Sequence, residues 1–155
     1  MPGACACTGG GLNSTGIQGF DMTIERKNPP NLAPPVGRYH HLTVIPAGSD
    51  ILAIAGQVGL DEKGHLPDTI EEQLANAFAN ITRILESEGL DHRAVFKINM
   101  WLTKPIERER YVEIWRRFHN DEPPASMFAY VSAMIRPEYL VEVEAWAARP
   151  AKVGP

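Results

Sequence analysis

The chain has 155 residues, 44% hydrophobic and 22% charged, with a formal net charge of −4. That length suits one domain with a real core, and the composition is that of a soluble globular protein with no apolar run of the ~18–20 residues a membrane span needs. The acidic balance disfavours broad nucleic-acid binding, so neither a membrane nor a nucleic acid is the expected partner.

The chain opens with "MPGACACTGGGLNSTG", which has neither a basic start nor an apolar segment and does not read as a secretory signal. Residues 1–21 lack apolar periodicity and are expected to form a disordered tail, followed by a single domain over 22–155. Met22 begins a more ordinary stretch, "MTIERKNPP", and is the expected start of translation if the first segment is not native. The two cysteines, Cys5 and Cys7, both lie in that first segment. A disulfide framework is therefore excluded, which fits a reducing compartment, and a cytoplasmic location is expected.

Residues 28–36, "NPPNLAPPV", are too proline-rich for a helix or a central strand and should form an extended lead-in. "YHHLTVI" (39–45) and "ILAIAGQVGL" (51–60) read as two strands with "PAGSD" as the turn between them. Thr69 followed by Glu72 makes a T-x-x-E capping box, predicting a helix from residue 70 to about Glu88, stopped at Gly89. Ile70, Leu74, Ala77, Phe78, Ile81, Ile84 and Leu85 form one stripe at helical spacing, so this helix packs on a sheet.

"VFKINMWL" (95–102) reads as a strand with Phe96, Ile98, Met100 and Leu102 on one face and Val95, Lys97, Asn99 and Trp101 on the other. A second helix is expected over about 106–119, with Tyr111, Ile114, Trp115 and Phe118 as its stripe. "SMFAYVSA" (126–133) and "YLVEVEAWA" (139–147) read as the last two strands. The order ββ-α-β-α-ββ lets both helices cover one face of one sheet. The other face would carry Trp101, Trp146 and Leu140 among Lys97, Asn99, Glu142 and Glu144. Such a mixed surface is too apolar for open water and too polar for a core, which predicts a homo-oligomer with a pocket at the subunit boundary.

Few residues suggest chemistry on spacing alone. Glu142 and Glu144 share a strand face with Cα atoms about 6.5 Å apart, a spacing that can hold a water between carboxylates or simply form a solvated strand face. His40 and His41 are adjacent and point to opposite faces, and His65, His92 and His119 show no ligand spacing, so no metal is expected. No phosphate-binding loop, dinucleotide fingerprint or RNA-binding aromatic motif is present, and no cofactor is expected. Arg108, Arg110, Arg116 and Arg117 alternate with Glu107, Glu109 and Glu113, which reads as a solvated, salt-bridged helix face.

Taken in order, "APPVGRYHHL", "AGQVGLDEKGHLPDTIEEQLANAFANITRILESEGL", "VFKINMWLTK", "FHNDEPPAS" and "VEVEAWA" resemble the RidA (YjgF/YER057c/UK114) family over about residues 33–148. The resemblance implies an α+β, chorismate-mutase-like fold: a single sheet with two helices on one face, assembled as a homotrimeric barrel with ligand clefts between subunits. It also implies hydrolysis of reactive 2-imino or enamine acids to 2-keto acids and ammonia. The family's glycine–aromatic element is similar to Gly37 and Tyr39, which makes Tyr39 a cleft residue. Its "SGQ" element stands here as Ala55-Gly56-Gln57, keeping the glycine backbone that meets the ligand and losing the serine hydroxyl. Its water-orienting glutamate falls on Glu142. Deaminating members carry "P-A-R-S" before the penultimate strand, where the arginine grips the substrate carboxylate. Here the text is Pro124-Ala125-Ser126-Met127, which places Ser126 at the arginine position.

Arginine donates two parallel hydrogen bonds to a carboxylate, whereas serine offers one neutral donor. A charge pair at 4 Å is worth roughly 4 kcal/mol at an effective dielectric near 20, and after desolvation the loss is on the order of 2–3 kcal/mol. The cleft is then expected either to select a different substrate through neutral hydrogen bonding at Ser126 or to recruit another cation, with Arg38 and Arg136 as candidates. The leading expectation is a trimer acting on a small-molecule ligand: Glu142 handles water, while Tyr39, Gly56 and Ser126 bind the ligand. Two other readings stay open: a metabolite-binding trimer without turnover, and the endoribonuclease or translation-inhibitor activity of the family's older names.

Overall fold

In a computed structural model, residues 23–151 are described; residues 1–21, with Cys5 and Cys7, and the expected start at Met22 lie outside them. Strands β1 (Glu25–Lys27) and β2 (Leu42–Val44) precede β3 (Ser49–Val58). Then come helix α1 (Ile70–Ser87), a 3-10 turn at His92–Ala94, β4 (Val95–Leu102), α2 (Arg108–His119), β5 (Ala125–Tyr130) and β6 (Val141–Pro150).

The main sheet has four strands in the order β3-β6-β4-β5. β6 runs antiparallel to both β3 and β4, and β4 and β5 are parallel. Each parallel step is crossed by a helix, as parallel strands require. The expected single sheet needs correcting in one respect: β1 and β2 pair with each other as a separate two-stranded sheet. Their residues pair across the proline-rich segment rather than across "PAGSD", and Arg26 ties them to the start of β4 through the Arg93 and Val95 carbonyls. The turn at 46–48 thus leads β2 into a different sheet.

The hydrophobic stripe of α1 is buried as its spacing requires, with Leu74, Ala77 and Ile81 fully inaccessible. Thr69 caps it, accepting from Glu72 N. The Glu72 carboxylate answers by accepting from the Thr69 hydroxyl at 2.6 Å rather than from the cap's backbone. The helix closes at Glu88, and Gly89 takes the left-handed φ of 72° that ends it. Across the interface stand Val141, Val143, Ala145 and Ala147 of β6, all fully buried. On α2, Trp115 and Phe118 join this core, and Phe78 stacks on Phe118 with ring centroids 4.7 Å apart.

One face expected from strict alternation is corrected by a β-bulge. On β4 the register with β6 slips between Val95 and Lys97. The extra residue turns Val95 into the helix-side core, fully buried, and leaves Phe96 half-buried. On β3 a second slip lies between Ile54 and Gln57, at Ala55-Gly56. Leu140, expected on the open face, lies just before β6 and packs against the helix-side core. Lys97, Asn99, Trp101, Glu142, Glu144 and Trp146 remain half-buried on the open face. Among the described residues no helix is long and apolar enough to cross a membrane, and no group of His, Cys, Asp and Glu side chains could hold a metal ion.

Candidate functional site

The segment carrying Tyr39 is held by the end of α2 and the approach to β5. Trp115 Nε1 donates to the Arg38 carbonyl at 2.7 Å. The Arg38 guanidinium pairs with Asp121 at 2.8 Å. His40 N donates to Pro124 O at 3.3 Å, and His40 Nδ1 lies 2.7 Å from Pro123 O. A carbonyl only accepts, so Nδ1 carries the proton in this contact. The left-handed conformations of Asn120 and Asp121 (φ 44° and 65°) turn the chain from α2 towards these prolines.

The result is a cavity of ≈ 470 Å³ in which Tyr39 and Ser126 meet. Ser126 is register-paired with Ile98, whose side chain lies in the helix-side core. Paired residues of a sheet share a face, so Ser126, Phe128 and Tyr130 project towards the helix side of the edge strand β5. The start of α2 supplies the facing wall through Ile106, Arg108 and Tyr111. Tyr111 meets Phe128 edge-on at 5.1 Å, and Phe128 meets Tyr130 likewise at 5.4 Å. Burial pushes the Tyr111 phenol up to about 12, so it stays a hydrogen-bond donor at neutral pH.

Gly56 and Glu142 meet elsewhere, on the open face. A Cβ built on Gly56 would lie 1.9 Å from Glu142 Oε1, so the carboxylate occupies the space a side chain would need. The bulge at Ala55-Gly56 permits this approach. Among the described residues the Glu142 carboxylate has no hydrogen-bond or ion-pair partner. Glu144 differs, because its Oε1 accepts from Asn99 Nδ2 at 3.0 Å. Position on β6 is fixed from the other side of the sheet. Buried Gln73 accepts from Leu140 N at 2.8 Å and donates to the carbonyls of Pro67 and Glu138.

The structure thus forms two pairs, Tyr39 with Ser126 and Gly56 with Glu142, and does not bring the pairs together within one chain. Ser126 sits level with Ile98, and Glu142 sits level with Trp101 on the opposite face. Two strand spacings and three residue rises put their Cα atoms roughly 14 Å apart. The two candidate replacement cations also part company. Arg38 lines the cavity but is paired with Asp121, whereas Arg136 lies outside it, 3.9 Å from Glu138 and over the Tyr139 ring. Arg108, Phe128 and Tyr130 are cavity residues that the spacing did not single out. Alternation along β5 from Ser126 was the available signal.

Comparison with known proteins fits this architecture. A family model described as endoribonuclease L-PSP matches residues 30–149. The chain belongs to the endoribonuclease L-PSP family. A RutC family protein of Saccharolobus solfataricus is 28% identical over 111 residues, covering 70% of this chain and 85% of that one. The Rid family protein YyfB from Yersinia pestis, described as of unknown function, superposes with a TM-score of 0.73 at 25% identity, covering 83% of this chain and 100% of its own. RidA from the Antarctic bacterium Psychrobacter sp. superposes with a TM-score of 0.58 at 28% identity, covering 81% and 97%. An L-PSP family chain with two helices and a mixed sheet accounts for the fold, and the RidA resemblance read from the sequence is one of the same family.

Proposed function

We propose that this protein hydrolyses a small imine or enamine in clefts completed between copies of the chain, as a homotrimer. The observation that carries the reading is the Glu142 carboxylate, unpartnered among the described residues and lying against the bare backbone of Gly56. An uncommitted carboxylate beside a glycine can hold a water and leave room for a ligand. Water adds to the imine carbon, and Glu142 takes the proton released by that water. It passes that proton to the nitrogen to give a carbinolamine, then relays the carbinolamine hydroxyl proton to the same nitrogen as the C–N bond breaks, so ammonia and a carbonyl product leave. Water is the only co-reactant.

Tyr39 and Ser126 serve as the binding half, with the neutral Ser126 hydroxyl standing where deaminating relatives of the RidA type carry arginine. The open face supports assembly, because it leaves Trp101 and Trp146 half-buried among polar side chains. The test is hydrolysis of freshly generated 2-imino acids, followed above the spontaneous rate. Wild type should accelerate it, and Glu142→Gln should lower turnover on the order of 100-fold or more while leaving ligand affinity nearly unchanged. Absence of acceleration with every imine tried would remove the hydrolytic reading and leave a protein that binds without turnover.

A further inference from the structure

Two arginines line the helix-side cavity, and only one is already committed. Arg38 is tied to Asp121 at 2.8 Å. Arg108 lines the same cavity and makes no ion pair or hydrogen bond among the described residues. Its place in the helix argues against a role in helix stability. Arg108 is the first residue of α2, where a cation opposes the helix dipole. Three residues on, Tyr111 lies on the same helix face and also lines the cavity. The Ser126 hydroxyl and the Tyr39 and Tyr111 phenols have no hydrogen-bond partners among the described residues either.

We propose that Arg108 is the ligand-gripping cation of this cavity, and that the ligand is a small carboxylate bearing an aromatic side chain. The guanidinium and the Ser126 hydroxyl receive the carboxylate, and the Tyr111–Phe128–Tyr130 wall receives the ring. The proposal rests on reading the cavity as the binding half of the cleft. It places on helix α2 the charge that β5 does not supply. The ring preference follows from the walls: three aromatic side chains meet edge-on, which leaves ring faces and edges for a planar group to stack against. A volume of ≈ 470 Å³ admits such a ligand with room to spare.

Titration calorimetry on the full-length protein with three probes tests this. Phenylpyruvate carries both ring and carboxylate, pyruvate lacks the ring, and phenylacetone lacks the carboxylate. Phenylpyruvate should bind more tightly than either of the others. Arg108→Gln should weaken phenylpyruvate on the order of tenfold to a hundredfold and leave phenylacetone unchanged. Arg136→Gln, outside the cavity, should change nothing. Unaltered phenylpyruvate binding in Arg108→Gln, pyruvate binding as tightly as phenylpyruvate, or no phenylpyruvate binding at all would each overturn the proposal. The two readings fail separately. Arg108-dependent phenylpyruvate binding without imine turnover defeats hydrolysis alone, whereas Glu142-dependent turnover with Arg108-independent binding defeats this assignment alone.

Discussion

A single hydrogen atom in place of a methyl group decides where the Glu142 carboxylate sits. The atom that would clash with a Cβ on Gly56 is the far end of a flexible side chain, so Gly56→Ala should be absorbed by moving Glu142 rather than by breaking the fold. We expect imine hydrolysis to fall at least about tenfold, with the thermal midpoint shifted by no more than a few degrees. A variant that unfolds instead would show that the glycine serves packing. His119 presents a different residue-scale problem. It is 1% exposed, neither ring nitrogen has a hydrogen-bond partner among the described residues, and its ring stands edge-on to Trp115 at 4.8 Å. Burial chiefly, with help from the Arg38 charge, pushes its pKa from 6.5 down to about 4. The folded state therefore refuses a proton that the unfolded chain accepts. Its stabilising share is complete above pH 6.5 and is lost as the pH falls towards 4. Urea midpoints should drop between pH 7 and pH 5 in wild type, and His119→Leu should remove much of that drop. An unchanged slope in the variant would assign the acid sensitivity to other groups.

Among the elements, α1 and β3 are set by a contact that hydropathy does not register. A Cβ on Gly59 would lie 2.4 Å from both the Cα and the Cβ of Gln73. Backbone cannot step aside cheaply, so Gly59→Ala should cost roughly 1–3 kcal/mol, seen as a lower urea midpoint with an unchanged slope. Loss of the Gln73 clamp on Leu140 would then loosen the start of β6, two residues before Glu142. The sequence made the helices plain because their stripes are long and their caps are local: Thr69, Glu72 and Gly89 read correctly. The strand faces were legible only where the register is regular. The bulges at Phe96 and at Ala55-Gly56 depend on which strand lies alongside, and no local pattern encodes that. β1 was hidden because its three residues, Glu25, Arg26 and Lys27, are all charged and carry no apolar alternation. Tyr39, Gly56, Ser126 and Glu142 entered the proposed cleft through resemblance alone. Their division into two pairs was not legible, because it depends on which face each register presents. Arg108 was lost in a run of alternating charges whose other members do form surface ion pairs, as Arg110 and Arg117 do with Glu113.

At the scale of the whole molecule, the hydrolysis we propose makes assembly part of the chemistry, because that division separates its two halves. The Glu142 half lies on the open face and the Ser126 half on the helix side of the edge strand β5, so one rigid sheet cannot close both on one ligand. In a ring built from head-to-tail contacts, each cleft takes one half from each neighbour. Such a site can be split between two defective chains. Glu142→Gln keeps the binding half intact, and Ser126→Phe fills the cavity while keeping Glu142. Each homotrimer should be inactive on its own. Mixed one to one, unfolded and reassembled together, random trimers should recover about one quarter of wild-type turnover, because a working cleft needs the right variant on each side of one interface. Sedimentation of differently tagged variants verifies that mixed assemblies form. Mixed trimers without recovered turnover would mean that each chain supplies its own catalytic carboxylate and binding groups. Recovery near one quarter would place the reaction at the boundary between copies.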